Sequence, residues 1–95
     1  MHALTFLVVL ATNFSTSLAK VITVENKHFG GNDKVHIGNS NCGQDVYHFK
    51  NIQCDGNAQV HLGDDVPKGC KAPSHTYEKC TVAGKCKMHM GHSYV

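Results

Sequence analysis

Hydrophobic and polar residues alternate along short segments of this 95-residue chain, from residue 21 to its end. Alternation over about four to eight residues places apolar side chains on one face of a β-strand, and no segment carries a helical stripe of useful length. Several segments with this pattern are rich in β-branched or aromatic residues, as strands are. They lie at 21–26, 34–37, 46–51, 59–62, 74–79 and 87–90.

Every second one of these segments belongs to a sequence repeat with the pattern G-x-x-[KQ]-[VM]-H-[ILM]-G. Its copies occupy 31–38, 56–63 and 84–91. The leading glycine indicates a turn residue with positive φ, which glycine adopts without steric cost. The chain is therefore predicted to be all-β, with about six strands in three repeated β-hairpins (about 21–38, 46–63 and 74–91). These hairpins are expected to close as a small disulfide-stapled sandwich or barrel.

Alternation also predicts which side chains form the core of this domain. In each repeat, the apolar residues of both strands fall on one face, while the repeated histidine falls on the opposite face. The predicted core residues are Ile22, Val24, Val35, Ile37, Tyr47, Phe49, Val60, Leu62, Tyr77, Met88 and Met90.

Residues 1–19 have the order of features of a cleavable secretory signal peptide. An apolar run from Ala3 to Ala11 precedes a polar stretch and the small-residue cleavage site Ser17-Leu18-Ala19. The run is too short to cross a bilayer. We expect a secreted, extracellular protein whose mature part, residues 20–95, makes a single small β domain.

Cysteines are the expected staples of a domain this small. All five (Cys42, Cys54, Cys70, Cys80 and Cys86) lie in the mature part. We expect two intramolecular bridges, with the pairing open and longer-range bridges favoured over Cys80–Cys86, which strand alternation makes awkward. The remaining cysteine is a buried thiol, an intermolecular bridge or a metal ligand, so a monomer or a disulfide-linked dimer is expected.

The charge pattern argues against two classes of partner. The net charge of +2 comes from nine Lys and seven acidic residues, without any Arg, and the lysines are spread along the chain. Nucleic-acid recognition usually uses the bidentate guanidinium group, so we expect no nucleic-acid partner. So small and dispersed a charge also predicts no stable membrane insertion.

Three windows resemble the aromatic-Glu-x-x-x-aromatic-x-Gly signature of the βγ-crystallin Greek key. They are Val24-Glu25-x-x-x-Phe29-x-Gly31, Tyr77-Glu78-x-x-x-Val82-x-Gly84 and, as a poorer copy, Phe49-Lys50-x-x-x-Cys54-x-Gly56. The calcium signature of that family is not met, because Asp64-Asp65 is followed by Val66-Pro67-Lys68-Gly69. The resemblance therefore implies β-hairpin structure without a calcium site.

Two clusters contain residue types that bind transition metals. His36, His61 and His89 occupy the same slot of the three repeats, and Cys80, Cys86, His89 and His92 crowd near the end of the chain. Both sets suit zinc or copper. However, alternation directs the first set towards solvent and sends Cys86 and His89 to opposite faces, so no metal or other cofactor is favoured.

An enzyme is the less favoured class of function. His48 or His75 with Glu25 or Glu78 offers an acid and base pair for a secreted ribonuclease. The sequence has no arginine and no lysine cluster to stabilise the dianionic phosphorane of ribonuclease catalysis, and it contains no hydrolase motif. We therefore assign no catalytic residue.

The layout of the chain is similar to that of small secreted cysteine-rich proteins that fungi release towards hosts or competitors. This similarity implies an effector- or toxin-like role exercised by binding. The expected function is non-enzymatic binding of a protein or a surface glycan, through the irregular segments 39–45 and 64–73. Metal binding and ribonuclease-like activity are the two alternatives.

Overall fold

Eight β-strands make up the regular structure of residues 19–95, the part of the chain that the computed structural model describes. The predicted signal peptide, apart from Ala19, lies outside the described residues. The strands are β1 (Val21–Phe29), β2 (Lys34–Ile37), β3 (Val46–Cys54), β4 (Gln59–Leu62), β5 (Asp65–Val66), β6 (Thr76–Val82), β7 (Lys87–Met90) and β8 (Ser93–Tyr94).

The strands form three parallel sheets, in the orders β1-β3-β6, β2-β4-β7 and β5-β8. The two larger sheets take one strand from each repeat, and the β5-β8 sheet takes one strand from each of the last two. The chain therefore winds as a coil and stacks each coil on the one before. Coil 1 comprises residues 21–45, coil 2 residues 46–73 and coil 3 residues 74–95. Equivalent residues pair directly, as Val21 does with Val46 and Phe49 does with Tyr77.

The prediction of an all-β, disulfide-stapled protein is confirmed, but the three predicted hairpins are not present. The two strands of one repeat do not pair; each pairs in parallel with its equivalent in the next repeat. Alternation defines the two faces of a strand but not its hydrogen-bonding neighbour. Sequence repeats favour stacking because like residues then meet, as in solenoid proteins.

The predicted positive φ of the repeat glycines is confirmed at Gly31, Gly56 and Gly84, where φ is 62° to 64°. These glycines do not turn the chain back on itself. They make the corner that leads from the first sheet to the second. The windows that resemble the βγ-crystallin signature end at this corner, in parallel sheets, whereas a Greek key is antiparallel.

A second bend lies inside the long strands β1, β3 and β6. Asn26, Asn51 and Lys79 have left-handed backbone there, with φ of 58°, 55° and 52°. The side-chain amide of Asn51 donates to that of Asn26 across 2.8 Å. The bend shifts the alternation by one residue, which brings Ile52 and Cys54 into the core. Alternation alone did not predict these two core residues.

The core is densest in coil 2, because coils 1 and 3 cover it on both sides. Phe49, Ile52 and Leu62 are fully buried, whereas the equivalent apolar residues of the outer coils are half-buried or exposed. Met90, a predicted core residue, is 45% exposed. Its strand lies at the end of the stack, where no further coil packs on it among residues 19–95.

Two disulfides join neighbouring coils, as expected for longer-range bridges. Cys42–Cys70 connects the loops that follow β2 and β5, and Cys54–Cys86 lies in the core between coils 2 and 3. Each closes a loop of 28 or 32 residues. Loops of this length correspond to about 3–4 kcal/mol of stabilisation through the unfolded chain. Cys80 is the free cysteine of the described chain and is half-buried.

Candidate functional site

The repeated histidines form a continuous ladder on the outer face of the β2-β4-β7 sheet. His36 pairs with His61 and His61 with His89, since all three hold the same position in consecutive coils. Their rings stack with centroid separations of 4.7 and 4.6 Å and interplanar angles of 6°. The ladder arises because an in-register parallel sheet places identical residues one above another.

The glycines that end the second and third repeats accept a hydrogen bond from the histidine of the preceding repeat, which accounts for the H-[ILM]-G part of the motif. The carbonyl oxygen of Gly63 lies 2.9 Å from His36 Nε2, and that of Gly91 lies 2.8 Å from His61 Nε2. A Cβ atom on Gly63 would overlap the Gly91 carbonyl, so the close approach of the chain requires glycine. Because a carbonyl only accepts, both Nε2 atoms carry the hydrogen in the neutral ring, and each Nδ1 has a lone pair.

A groove of about 590 Å³ runs beside the ladder and crosses all three strands of the sheet. One wall is the histidine ladder, and the other is a row of Lys34, Gln59 and Lys87. Val60, between the walls, has its side chain in the core, so the backbone forms the floor. The sequence spreads its lysines along the chain, but coiling places Lys34 and Lys87 two strands apart, at about 10 Å by sheet spacing.

Asp65 stands at the edge of this face, at the start of β5. Its two carboxylate oxygens lie 3.8 Å from His36 Nδ1 and 3.7 Å from His61 Nδ1. The side chains of Asp65 and His36 are 46% and 36% exposed, and that of His61 is 19% exposed. The three groups therefore converge on a point that solvent can reach.

Asp64, the preceding residue, points into the protein and lies in a buried polar cluster. It accepts hydrogen bonds from the backbone N–H of Asn39 at 2.8 Å, the Asn39 side-chain amide at 3.1 Å and His75 Nε2 at 2.7 Å. Burial alone would raise the pKa of Asp64, but the hydrogen bonds from Asn39 and His75 outweigh it and hold the pKa below its ordinary value.

The histidines of this cluster have both ring nitrogens engaged. His75 Nδ1 accepts from the Tyr47 backbone N–H at 3.0 Å, so its Nε2 donates to Asp64. His92 Nδ1 accepts from the Asp64 N–H at 3.2 Å, and its Nε2 donates to the Pro73 carbonyl at 2.8 Å. Within residues 19–95, no buried side-chain polar atom lacks a hydrogen-bond partner. The cluster is a completed structural network.

The structure separates the predicted cluster of Cys80, Cys86, His89 and His92. Cys86 is bonded to Cys54, His89 belongs to the ladder and His92 to the buried cluster. Cys80 lies on β6, where burial raises the pKa of its thiol. The other predicted set, His36, His61 and His89, is assembled, but as a stack in which Asp65 faces the first two rings.

Sequence reasoning placed Asp64 and Asp65 in the expected contact segment 64–73 but missed that each lies beside two histidines. Asp64-Asp65 follows the repeat glycine of coil 2, where coil 1 has Asn39-Ser40 and coil 3 has His92-Ser93. Reading the residues just after each repeat as stacked positions would have placed a carboxylate beside the histidine row. That reading requires parallel pairing, which alternation does not reveal.

No protein-family model matches the chain, and no curated protein or solved structure matches it either. Within the part of the chain that the structure describes, no helix is long and apolar enough to span a membrane.

Proposed function

We propose that this chain is a secreted, non-enzymatic binding protein whose groove binds an anionic surface glycan. The observation that carries the proposal is the groove itself, which lies between a lysine-containing wall and the histidine ladder. Effector- or toxin-like action would result from the binding of this protein to a glycan on the target surface.

Secretion is supported by the signal-like residues 1–19 and by the cysteines. Two disulfides are consistent with an extracellular protein, since they persist in oxidising compartments. They also link the coils, and a rigid scaffold lowers the ordering cost of binding.

The lining of the groove favours an anionic ligand. Lys34 and Lys87 supply ammonium groups, and no acidic side chain of residues 19–95 lines the groove. Positions two apart on a strand are separated by about 6.7 Å, so the groove has the width of a single extended polymer. Carboxylate or sulfate groups repeated along a glycan would meet the two lysines in succession.

The loops that the sequence favoured as contact surfaces are joined to each other. Cys42–Cys70 bridges them, and the Gln44 side-chain amide donates to the Lys71 carbonyl at 2.7 Å. The cavity between them is about 10 Å³, too small for a ligand. The sheet face therefore replaces these loops as the proposed contact surface.

The non-enzymatic part of the proposal is supported by where the candidate acid and base groups lie. His75 has a fully buried side chain and both nitrogens engaged. His48 pairs with Thr23 and Thr76, while Glu25 and Glu78 both pair with Lys50. Lys50 thus lies between the two glutamates, and opposite charges at paired strand positions stabilise the sheet.

A charge-reversal experiment tests the groove. Binding of the mature protein to heparin and to polygalacturonate is measured by calorimetry, with dextran as the neutral control. We expect the Lys34→Glu, Lys87→Glu double variant to bind either polyanion at least about tenfold more weakly, equivalent to about 1.4 kcal/mol. The matched control is Lys27→Glu, Lys68→Glu, which changes two exposed lysines outside the groove by the same net charge.

Equal losses in the two double variants would show a nonspecific charge effect and contradict the groove. If the protein bound an acidic peptide but neither heparin nor polygalacturonate, the partner would be a protein and not a glycan. No binding of any of these probes would contradict the proposal.

A further inference from the structure

Two imidazole lone pairs and a carboxylate face one another at Asp65. His36 Nδ1 and His61 Nδ1 each lie opposite one oxygen of Asp65, at 3.8 and 3.7 Å. The Gly63 and Gly91 carbonyls hold the hydrogen of each neutral ring on Nε2. Three acceptors therefore converge without a hydrogen between them, and a cation is the partner that satisfies all three.

The distances suit a transition-metal ion. Zinc binds imidazole nitrogen and carboxylate oxygen at about 2.0–2.2 Å, so tetrahedral ligand atoms lie about 3.4 Å apart. The N···O separations are within about 0.4 Å of this spacing. The His36 and His61 rings are parallel, with centroids 4.7 Å apart. A rotation of the two rings would bring both Nδ1 atoms towards one metal position.

We propose that His36, His61 and Asp65 form a binding site for a divalent first-row transition metal, represented by Zn²⁺. Imidazole nitrogen suits such metals, whereas Ca²⁺ and Mg²⁺ prefer sites made of oxygen ligands. The exposure of Asp65 provides an entry path and leaves a coordination position for water. This site does not depend on the proposed glycan binding, because neither Lys34 nor Lys87 is a ligand.

The Nε2 hydrogen bonds are the outer-shell contacts that a metal-binding histidine usually makes. Donation from the distal ring nitrogen to a backbone carbonyl fixes the tautomer and aims the other nitrogen at the metal. Here the carbonyls come from the next coil, so each ligand is oriented by the repeat that follows it. His89 has its Nδ1 3.5 Å from Ser93, which holds the position of Asp65 in coil 3, so it lacks the carboxylate partner.

The buried cluster contains the same residue types but does not offer the same site. At Asp64, a metal would have to displace the hydrogen bond from His75 at 2.7 Å and the contact of His92 Nδ1 with the Asp64 N–H. These ligand atoms are already paired with hydrogens. Metal binding at Asp65 would therefore displace fewer hydrogen bonds than metal binding at Asp64.

Zinc titration of the mature protein tests the site. Protein stripped with a chelator and returned to chelator-free buffer near neutral pH is titrated with Zn²⁺ by calorimetry. We expect one zinc ion per chain, with affinity reduced at least about tenfold in His36→Gln, His61→Gln and Asp65→Asn. The matched controls, His89→Gln in the same ladder and His92→Gln in the buried cluster, should retain wild-type affinity.

Nitrogen-15 NMR of the histidine rings supplies a second readout. Zinc should shift Nδ1 of His36 and His61 while their Nε2 atoms remain protonated. Absence of zinc binding would overturn the proposal. Binding that survives the three ligand substitutions, or that His89→Gln abolishes, would also overturn it.

Discussion

Asp64 and Asp65 are neighbours in the chain, and each lies near two histidines, yet their surroundings are opposite. The Asp64 side chain is 3% exposed and accepts three hydrogen bonds. The Asp65 side chain is 46% exposed and faces two imidazole nitrogens that, in the neutral rings, carry no hydrogen. Consecutive residues at a corner point to opposite sides of the chain, one inward and one outward. Both clusters contain one aspartate and two histidines, and Asn39 completes the cluster at Asp64.

The placement of hydrogens, more than the choice of residues, thus distinguishes the structural cluster at Asp64 from the metal site proposed at Asp65. Around Asp64, every donor already has its acceptor, so the group stabilises the fold. Around Asp65, the backbone carbonyls take the ring hydrogens and leave lone pairs for a ligand. Substitutions in the two clusters should therefore differ in their effect on the stability of the protein.

Asp64→Asn should cause the largest loss, about 2–4 kcal/mol of unfolding free energy. An amide has one acceptor oxygen, so its NH₂ group would face a donor from either Asn39 or His75. Asp65→Asn, its matched control, should change stability by about 0.5 kcal/mol or less. Denaturant unfolding with the disulfides intact measures both, and equal losses would contradict the contrast.

His75→Phe should cost less, about 1–3 kcal/mol, although the ring volume is kept. The substitution leaves the Tyr47 N–H without its acceptor beside a fully buried side chain. It also removes one of the two hydrogen bonds that Asp64 Oδ1 accepts, and the bond from the Asn39 N–H remains. His89→Phe changes the same residue type in the exposed ladder, and we expect a loss within about 0.5 kcal/mol. Thermal unfolding of both variants decides whether burial distinguishes them.

Acid should remove a smaller part of the stability through Asp64. Its pKa in the folded protein is below the ordinary value of 3.8, so its ionised form stabilises the fold. That contribution is fully present above the ordinary value and is lost as pH falls through the lower folded pKa. We expect Asp65→Asn to keep this acid-dependent loss and Asp64→Asn to lack it. A pH series of unfolding free energies that is parallel for both variants would contradict the assignment.

Much of the fold was predictable from alternation, because burial in a strand has a period of two residues. Phe49, Val60 and Leu62 are core residues as predicted, and the repeat glycines have positive φ. Strand pairing was not predictable in the same way, since hairpins and stacked coils present the same alternation. The bend at Asn51 was missed because alternation does not show it, although asparagine adopts left-handed backbone more often than most residues.

The site was predictable only in part, for a related reason. The equal spacing of His36, His61 and His89 marked them as equivalent, and their outward direction followed from alternation. Asp65 lies outside the repeat motif and in a different coil from His36. Its proximity to His36 therefore results from the parallel stacking of the coils and cannot be read from the local sequence. The two disulfide pairings likewise depend on which coils are adjacent.

The ends of the stack have a consequence for self-association. In the described chain, β1 and β6 are edge strands of one sheet, and β2 and β7 are edge strands of another. Lys50 separates Glu25 from Glu78 in one row, and Gln59 separates Lys34 from Lys87 in the other. A second copy added end to end in the same register would set Glu78 against Glu25 and Lys87 against Lys34. Repulsion between like charges thus discourages the coil from polymerising into a fibre, although its repeat could otherwise continue indefinitely.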